Sequence, residues 1–350
     1  MNAPDDAAAP APAVPAAAPT RPRVFSGMQP TSVLHLGNYL GALKHWVAGQ
    51  HERDNVFCVV DLHVLTIPEA VDPADLRARS RSVAALYLAA GIDPEASVVF
   101  VQSHVPEHAE ASWLLGCLTP LGWLQRMTQY KSKAEGKASI GTGLLTYPAL
   151  MAADILLHDT DEVPVGEDQT QHVELTRDLA IRFHHLFGEV FVLPKAVVPA
   201  FGARIMGFDD PTAKMSKSTA EDRPGHAVFL LDPPDRVRKT IMSAVTDSGR
   251  ELRFEHASPG VRNLYTVWHS LDGRPMAALE AEVEGRGYGD LKKRVVEVVV
   301  DALAPIRARY GELMGDPVEL DALLRRGAER ARGTASRTLA RMKAALGVGA

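Results

Sequence analysis

FSGMQPTSVLHLGNYLGAL, residues 25–43, decides how the rest of the 350-residue chain is read. Arg23-Val24-Phe25 reads as a short first strand, and Gly27 follows where a side chain would crowd a bound ligand. Gln29-Pro30-Thr31-Ser32 turns the chain. His35-Leu36-Gly37-Asn38 then opens a helix in which Leu40, Leu43 and Val47 recur at i, i+3 and i+7, one apolar face. The polar residues therefore lie between a strand and a helix N-terminus. Free backbone N–H groups and the positive end of the helix dipole favour an anion there. The glycine spacing is neither that of the dinucleotide fingerprint nor that of a Walker loop.

Working outward, residues 56–60 (VFCVV) form a continuous apolar run suited to a strand covered on both faces, ending at Asp61-Leu62-His63. Asp72 is a good N-cap with Pro73 at the first helical position. Leu76, Val83, Tyr87 and Ala90 trace one face of that helix, and Gly91 closes it. Residues 97–101 (SVVFV) give the next buried strand, ending at Gln102-Ser103-His104. This alternation predicts an α/β fold with a Rossmann-like doubly wound parallel sheet, which binds ligands at the carboxyl ends of its strands.

Residues 106–158 read as helical. Lys131, Lys133 and Lys137 fall in a polar stretch broken by Gly136, Gly141 and Gly143, either a mobile solvated loop or a phosphate-facing one. Residues 161–165 (DEVPV) lead into Gly166-Glu167-Asp168-Gln169. Asp168 can cap the next helix with Gln171 in the capping-box position. His184 and His185 in that helix point to different faces, so they read as surface or packing rather than a metal pair.

Three segments are expected: a disordered Ala/Pro tail over residues 1–20, with nine Ala and five Pro; a catalytic domain over 21–220; and a helical domain over 221–350, its last helix packing back on the first. Residues 320–350 carry seven Lys/Arg against two acidic residues, either a solvated face or an RNA phosphate surface. A net charge of −5 argues against a protein that coats nucleic acid everywhere. Two cysteines, Cys58 and Cys117, both in apolar runs, are expected reduced and buried, and no CxxC suggests zinc. No apolar run reaches the ~18 residues of a membrane span, and the N-terminus lacks the regions of a secretory signal, so cytoplasm follows.

Taken alone, H-x-G carries little, since 13 His and 27 Gly produce it roughly once by chance. Lys214-Met215-Ser216-Lys217-Ser218 changes that, because a specified pentapeptide arises by chance on the order of 10⁻⁵ times in such a chain. Together the two segments resemble the signature pair of the class I aminoacyl-tRNA synthetases, H-x-G-H and KMSKS. Asn38 departs from the first, and in FSGMQPT…HLGNYLGAL it looks like the tryptophanyl branch. The resemblance runs from about Val24 to the C-terminus. It implies an enzyme that activates tryptophan with ATP, releases pyrophosphate and charges tRNA(Trp), working as an α2 dimer without membrane association.

Such chemistry needs positioning and stabilisation of spreading negative charge on phosphates more than covalent help. Lys214 and Lys217 suit the leaving pyrophosphate, with Ser216 and Ser218 as supplementary donors, and His35 and Asn38 can donate to phosphates. The resemblance adds Lys133 to the catalytic set. It gives an ATP site of Gln29, Pro30, Thr31, Gly37, Gly166, Glu167, Asp168, Ile205 and Met215 beside the signature residues. Gly37 would leave space for the adenine. Mg²⁺ would arrive on the phosphates of ATP, with no structural metal in the protein.

Tyr147, Met151 and Asp154 stand at i, i+4 and i+7 on one helix face. On spacing alone they read first as a core helix with a polar edge. An aromatic, a thioether and a carboxylate could also enclose an indole and accept its N–H, and the resemblance favours that reading. Phe25, Gly27, His63, Gln129 and Gln169 complete the expected tryptophan pocket. The alternatives are a tyrosyl enzyme of the same fold, a small nucleotidyltransferase, which would not need the C-terminal helices, and an RNA-binding paralogue, which would be expected to have lost the signature lysines.

Overall fold

The computed structural model describes residues 21–30, 33–136, 139–166, 169–198 and 204–349. The tail 1–20, Thr31, Ser32, Lys137, Glu167 and Asp168 lie outside the described residues, and with them the expected ribose segment and the Asp168 cap.

Five parallel strands lie in the order β3-β2-β1-β4-β5. They are β1 (Arg23–Met28), β2 (Asp54–Val59), β3 (Val98–Val101), β4 (Glu162–Pro164) and β5 (Lys195–Val197). The first strand is longer than expected: Ser26, Gly27 and Met28 pair with Phe57, Cys58 and Val59, so Gly27 is inside the strand rather than after it. Chain reversal of strand order around β1 puts the carboxyl ends of β1, β2 and β4 at one crevice, the place where open sheets hold ligands.

Alternation along the strands sorts side chains into two cores. Phe57, Val59, Val99 and Val101 face one layer, with Leu40, Leu43, Tyr87 and the C-terminal helices. Phe25, Val56, Cys58, Val60 and Phe100 face the other, with the helices of the middle of the chain. Burial on both faces explains why these strands are nearly unbroken apolar runs.

Helix α3 (Pro73–Ala89) starts as expected, with Asp72 accepting from the N–H of Ala74 and Asp75, and ends at Gly91 with φ +110. The signature helix is less regular. A single α turn, α1 (Leu36–Asn38), runs into a π turn over Tyr39–Leu43 and then into α2 (Lys44–Gly49). The extra residue of a π turn advances the apolar phase, so Leu40 and Leu43 are buried while Val47 is only half-buried, against Gly91.

The middle of the chain folds as α4 (Glu107–Leu118), α5 (Leu121–Arg126), α6 (Thr128–Ala134), α7 (Thr142–Leu156) and α8 (Thr170–Phe187). Lys131 and Lys133 therefore sit on helix α6, not on a loop. Gln171 Oε1 accepts from the N–H of Thr128, tying α8 to α6. His184 accepts from the Phe191 N–H while His185 is exposed, the packing roles expected of that pair. Cys58 is buried, but Cys117 is exposed, because the outer face of α4 that carries it also leaves Trp113 open. Both are free thiols.

After α9 (Lys217–Asp222) come α10 (Pro234–Met242), α11 (Pro259–Asp272), α12 (Met276–Val283), α13 (Tyr288–Gly315) and α14 (Pro317–Leu346). Lys44 Nζ reaches the carbonyls of Ser270 and Leu271, capping the C-terminal end of α11 and joining it to the signature helix. Helix α14 does return to the sheet. Leu320 and Leu324 belong to one core and Ala328, Ala331, Ala335, Leu339 and Met342 to the other, so the helix straddles the edge strand β3. The crossing is at Gly327, where a Cβ would lie 1.9 Å from the Val99 carbonyl oxygen.

Candidate active site

The two signature segments meet. A Cβ on Gly37 would lie 3.5 Å from Met215 Cβ and 3.0 Å from His35 Nδ1, so the space at this glycine is occupied by the chain's own histidine ring. His35 caps the helix reciprocally: Asn38 N–H donates to His35 Nδ1 (3.3 Å), and His35 N–H donates to Asn38 Oδ1 (3.2 Å). Leu36 N–H goes to the Val228 carbonyl. The N–H groups of Leu36 and Asn38 are thus already used, so the expected cluster of free donors is reduced, and the ring takes over the donor role.

Burial, then the positive charges of Lys214 and His226, lower the His35 pKa from 6.5 to about 4. The ring is neutral at pH 7. Since Nδ1 accepts, its proton is on Nε2, a neutral donor aimed away from the helix.

The KMSKS segment is the second arm of a small hairpin. Met215 N–H donates to the Ile205 carbonyl and Gly207 N–H to that of Ala213, with Asp210 closing the turn onto Thr212. Met215 is buried as an anchor, and Lys214 is exposed. Ser216 Oγ caps α9 by accepting from Thr219 N–H, and its own O–H donates to Thr219 Oγ1, so in this structure its proton is engaged within the helix. Lys217 lies 3.6 Å from Glu221 one turn on. Ile205 is buried, Gln29 and Gly166 are exposed, and Pro30 is buried.

Asp154 lies at the centre of a buried polar network. Its Oδ1 accepts from Gln102 Nε2 (2.7 Å) and His108 Nδ1 (2.6 Å), and its Oδ2 from His63 Nε2 (2.9 Å). Burial would raise its pKa, but the bonds and charges of His108 and His63 outweigh that and bring it to about 2. Asp154 is therefore a carboxylate, and Oδ2, with one donor, keeps a lone pair for another.

Behind it, His108 Nε2 stands 3.3 Å from His158 Nε2, and His158 stacks on Phe25 with ring centroids 5.6 Å apart. In front, His63 meets the Tyr147 ring edge-on at 6.2 Å, and the Tyr147 hydroxyl bonds His172 Nε2 at 2.7 Å. Lys133 Nζ lies 5.6 Å from the Tyr147 ring centroid, which places it at this end of the site. Met151, Gln129 and Gln169 are half-buried, and Gly27 is exposed. A Cβ at Gly27 would first meet Val60 Cγ1, at 3.1 Å, so crowding there begins within the protein.

Gln102 was placed by the sequence only at the carboxyl end of a strand, with no role of its own, and His108, His158, His172 and His226 escaped the sequence reading. The four histidines meet their partners only through the fold, and no spacing marks them. Among the described residues no group of three or more His, Cys, Asp or Glu is placed to hold a metal ion.

A parallel nucleotide-binding sheet that sets an H-x-G-N turn against a KMSKS hairpin defines a class I aminoacyl-tRNA synthetase. The comparisons narrow this. The family model described as tRNA synthetases class I (W and Y) matches residues 18–304, and the chain belongs to that family. It is 53% identical over 330 residues to the tryptophan–tRNA ligase of Leifsonia xyli subsp. xyli, covering 93% of this chain and 97% of that one. It is 49% identical over 327 residues to the tryptophan–tRNA ligase of Bacillus subtilis, covering 93% and 98%. The crystal structure of Campylobacter jejuni tryptophanyl-tRNA synthetase complexed with ADP and tryptophan matches with a TM-score of 0.82 at 36% identity, over 93% of this chain and 100% of that one.

Proposed function

We propose that this chain is an ATP-dependent tryptophan–tRNA ligase. A tryptophan carboxylate oxygen attacks the α-phosphorus of ATP, the bond from that phosphorus to the bridging oxygen breaks, and pyrophosphate leaves. The tryptophanyl group then passes from the adenylate to the 2′-hydroxyl of the terminal adenosine of tRNA(Trp), releasing AMP. The observation that carries this reading is the contact of the two signatures through Gly37 and Met215, which sets neutral His35 and cationic Lys214 beside one another.

In this reading His35 Nε2–H and Asn38 bond the phosphates, and Lys214 and Lys217 neutralise the departing pyrophosphate. Mg²⁺ enters on the phosphates as part of the substrate, since it favours their oxygens over a protein cage. The indole lies against Tyr147 and Met151 and donates its N–H to Asp154 Oδ2. The helices beyond residue 221 contact tRNA, and the enzyme works in the cytoplasm. Among the described residues no helix is long and apolar enough to cross a membrane. The dimer implied by the family pairs through α4 and α5, where Trp113 is 73% and Leu121 58% exposed.

Amino-acid-dependent ATP–pyrophosphate exchange with all twenty amino acids tests the activity. Exchange with tryptophan is expected; exchange with tyrosine alone, or with none, contradicts it.

A further inference from the structure

His226 has no part in the scheme above, yet it lies under the KMSKS hairpin with no exposed side-chain surface. Both of its ring nitrogens face acceptors. Nδ1 is 2.6 Å from Asp209 Oδ1, and Nε2 is 3.2 Å from the carbonyl oxygen of Lys214. A carbonyl only accepts, an ionised carboxylate only accepts, and a neutral imidazole has a single N–H. Making both bonds requires one proton more than a carboxylate and a neutral ring possess. Arg223 Nε, 2.7 Å from the other oxygen of Asp209, favours the ionised carboxylate and so leaves the extra proton on the ring.

The surroundings are built around this ring. A Cβ at Gly207 would fall 2.2 Å from His226 Cε1, so only glycine fits there, on the hairpin arm that also carries Ile205. Phe208 N–H donates to the His226 carbonyl, stitching the same arm to the histidine's backbone. The charged and titratable groups facing the ring are Asp209, Arg223 beyond it, Asp210 in the turn, and Lys214 and His35 above.

We propose that a doubly protonated His226, held by Asp209, is a positioning residue that fixes the Lys214 carbonyl and so aims the first KMSKS lysine at the phosphates. The side chain of Lys214 then swings from a fixed root. Without the clamp the hairpin keeps the Met215–Ile205 bond but loses the hold on the peptide that carries the lysine. The inference rests on the proposed activation reaction, and its first test does not.

The test uses the full chain labelled with ¹⁵N-histidine at pH 7, the His226 signals being assigned by their loss in His226→Gln. Both ring nitrogens should carry protons in the parent and only one in Asp209→Asn. A singly protonated parent ring overturns the proposal whatever the kinetics. In pyrophosphate exchange, His226→Phe should lower kcat ~10- to 100-fold, with KM for tryptophan within about twofold. His226→Gln, whose amide N–H can still reach the Lys214 carbonyl, should recover most of that loss, as a purely packing role would not allow. Unchanged kcat in folded His226→Phe overturns the proposal. If that variant does not fold, Asp209→Asn carries the kinetic test, with a fall of about fivefold or more expected and none contradicting it. A parent without tryptophan-dependent exchange contradicts the proposed function instead, and the ring protons then decide this inference alone.

Discussion

Asp154 accepts three hydrogen bonds before any substrate arrives, and this changes what its removal should do. Asp154→Ala would strand His63, Gln102 and His108 in a buried site, at a cost of roughly 3–5 kcal/mol of stability, readable as a lower urea midpoint. It should also lower kcat/KM for tryptophan by about 10²-fold or more, and far less for an analogue with carbon in place of the indole nitrogen. Equal losses for both substrates would make the carboxylate a scaffold rather than the reader of the indole. His35 gives a pH test. Its folded pKa, near 4, lies below the unfolded 6.5, so the unfolded chain binds more protons in between. Its contribution to stability is complete above pH 6.5 and is lost as pH falls toward 4. Between pH 7 and pH 5 the parent should lose roughly 2 kcal/mol more than His35→Gln in urea titrations. Lys214 stood out because a specified KMSKS pentapeptide is rare by chance, while His35 and Asp154 were singled out only once the resemblance gave weight to spacings that alone mean little. His226 and His108 were not, because a buried histidine's meaning lies in what the fold puts beside it.

The elements divide the same way. Strands β1 to β3 and helix α3 could be read from apolar runs, an Asp-Pro cap and a closing glycine. The π turn after Asn38 could not, since it shifts phase without changing composition. Around Lys131 and Lys133 the sequence wavered between helix and loop because Thr128–Ala134 has no buried side chain to give α6 a period. Helix α14 was recognised as a helix, but its sequence left the role of its arginines open between a solvated face and an RNA surface. Arg330 donates to the carbonyls of Pro94, Glu95 and Ser97, Arg332 and Lys343 pair with Glu107 and Glu110, and Arg341 pairs with Asp159. These cations bind the helix to its own protein. Arg330→Ala should therefore lower stability by about 1–3 kcal/mol and leave the salt slope of tRNA charging unchanged. Gly327→Ala adds a carbon where there is backbone 1.9 Å away. Although alanine favours a helix, the helix must lift off β3, and a loss of about 1–3 kcal/mol or more is expected in the urea midpoint.

Across the chain, the cations left for RNA are fewer than the sequence suggests. Arg325 lines a groove of about 700 Å³ with Arg77 and Arg81, though Arg81 is paired with Asp321. Neutralising Arg77 and Arg325 together should flatten the salt dependence of tRNA charging while sparing pyrophosphate exchange, and equal slopes would remove this groove from the tRNA path. The boundary expected near residue 220 marks a change from mixed to helical structure, but the apolar core does not stop there. Leu40, Tyr87, Val237, Trp268 and Val295 belong to one continuous cluster, which sequence periodicity has no means of announcing.

That α14 straddles β3 has a consequence for biosynthesis. Strand β3 ends at Val101, and the helix that covers its edge begins only at Pro317. At ~5–20 residues per second, a ribosome needs on the order of tens of seconds to make the intervening chain. Throughout that interval the growing chain carries a bare edge strand, Val98–Val101, of the kind that templates association with other chains. The nascent protein is thus exposed to aggregation until α14 leaves the tunnel, and chains released before that helix should be the ones that chaperones retain.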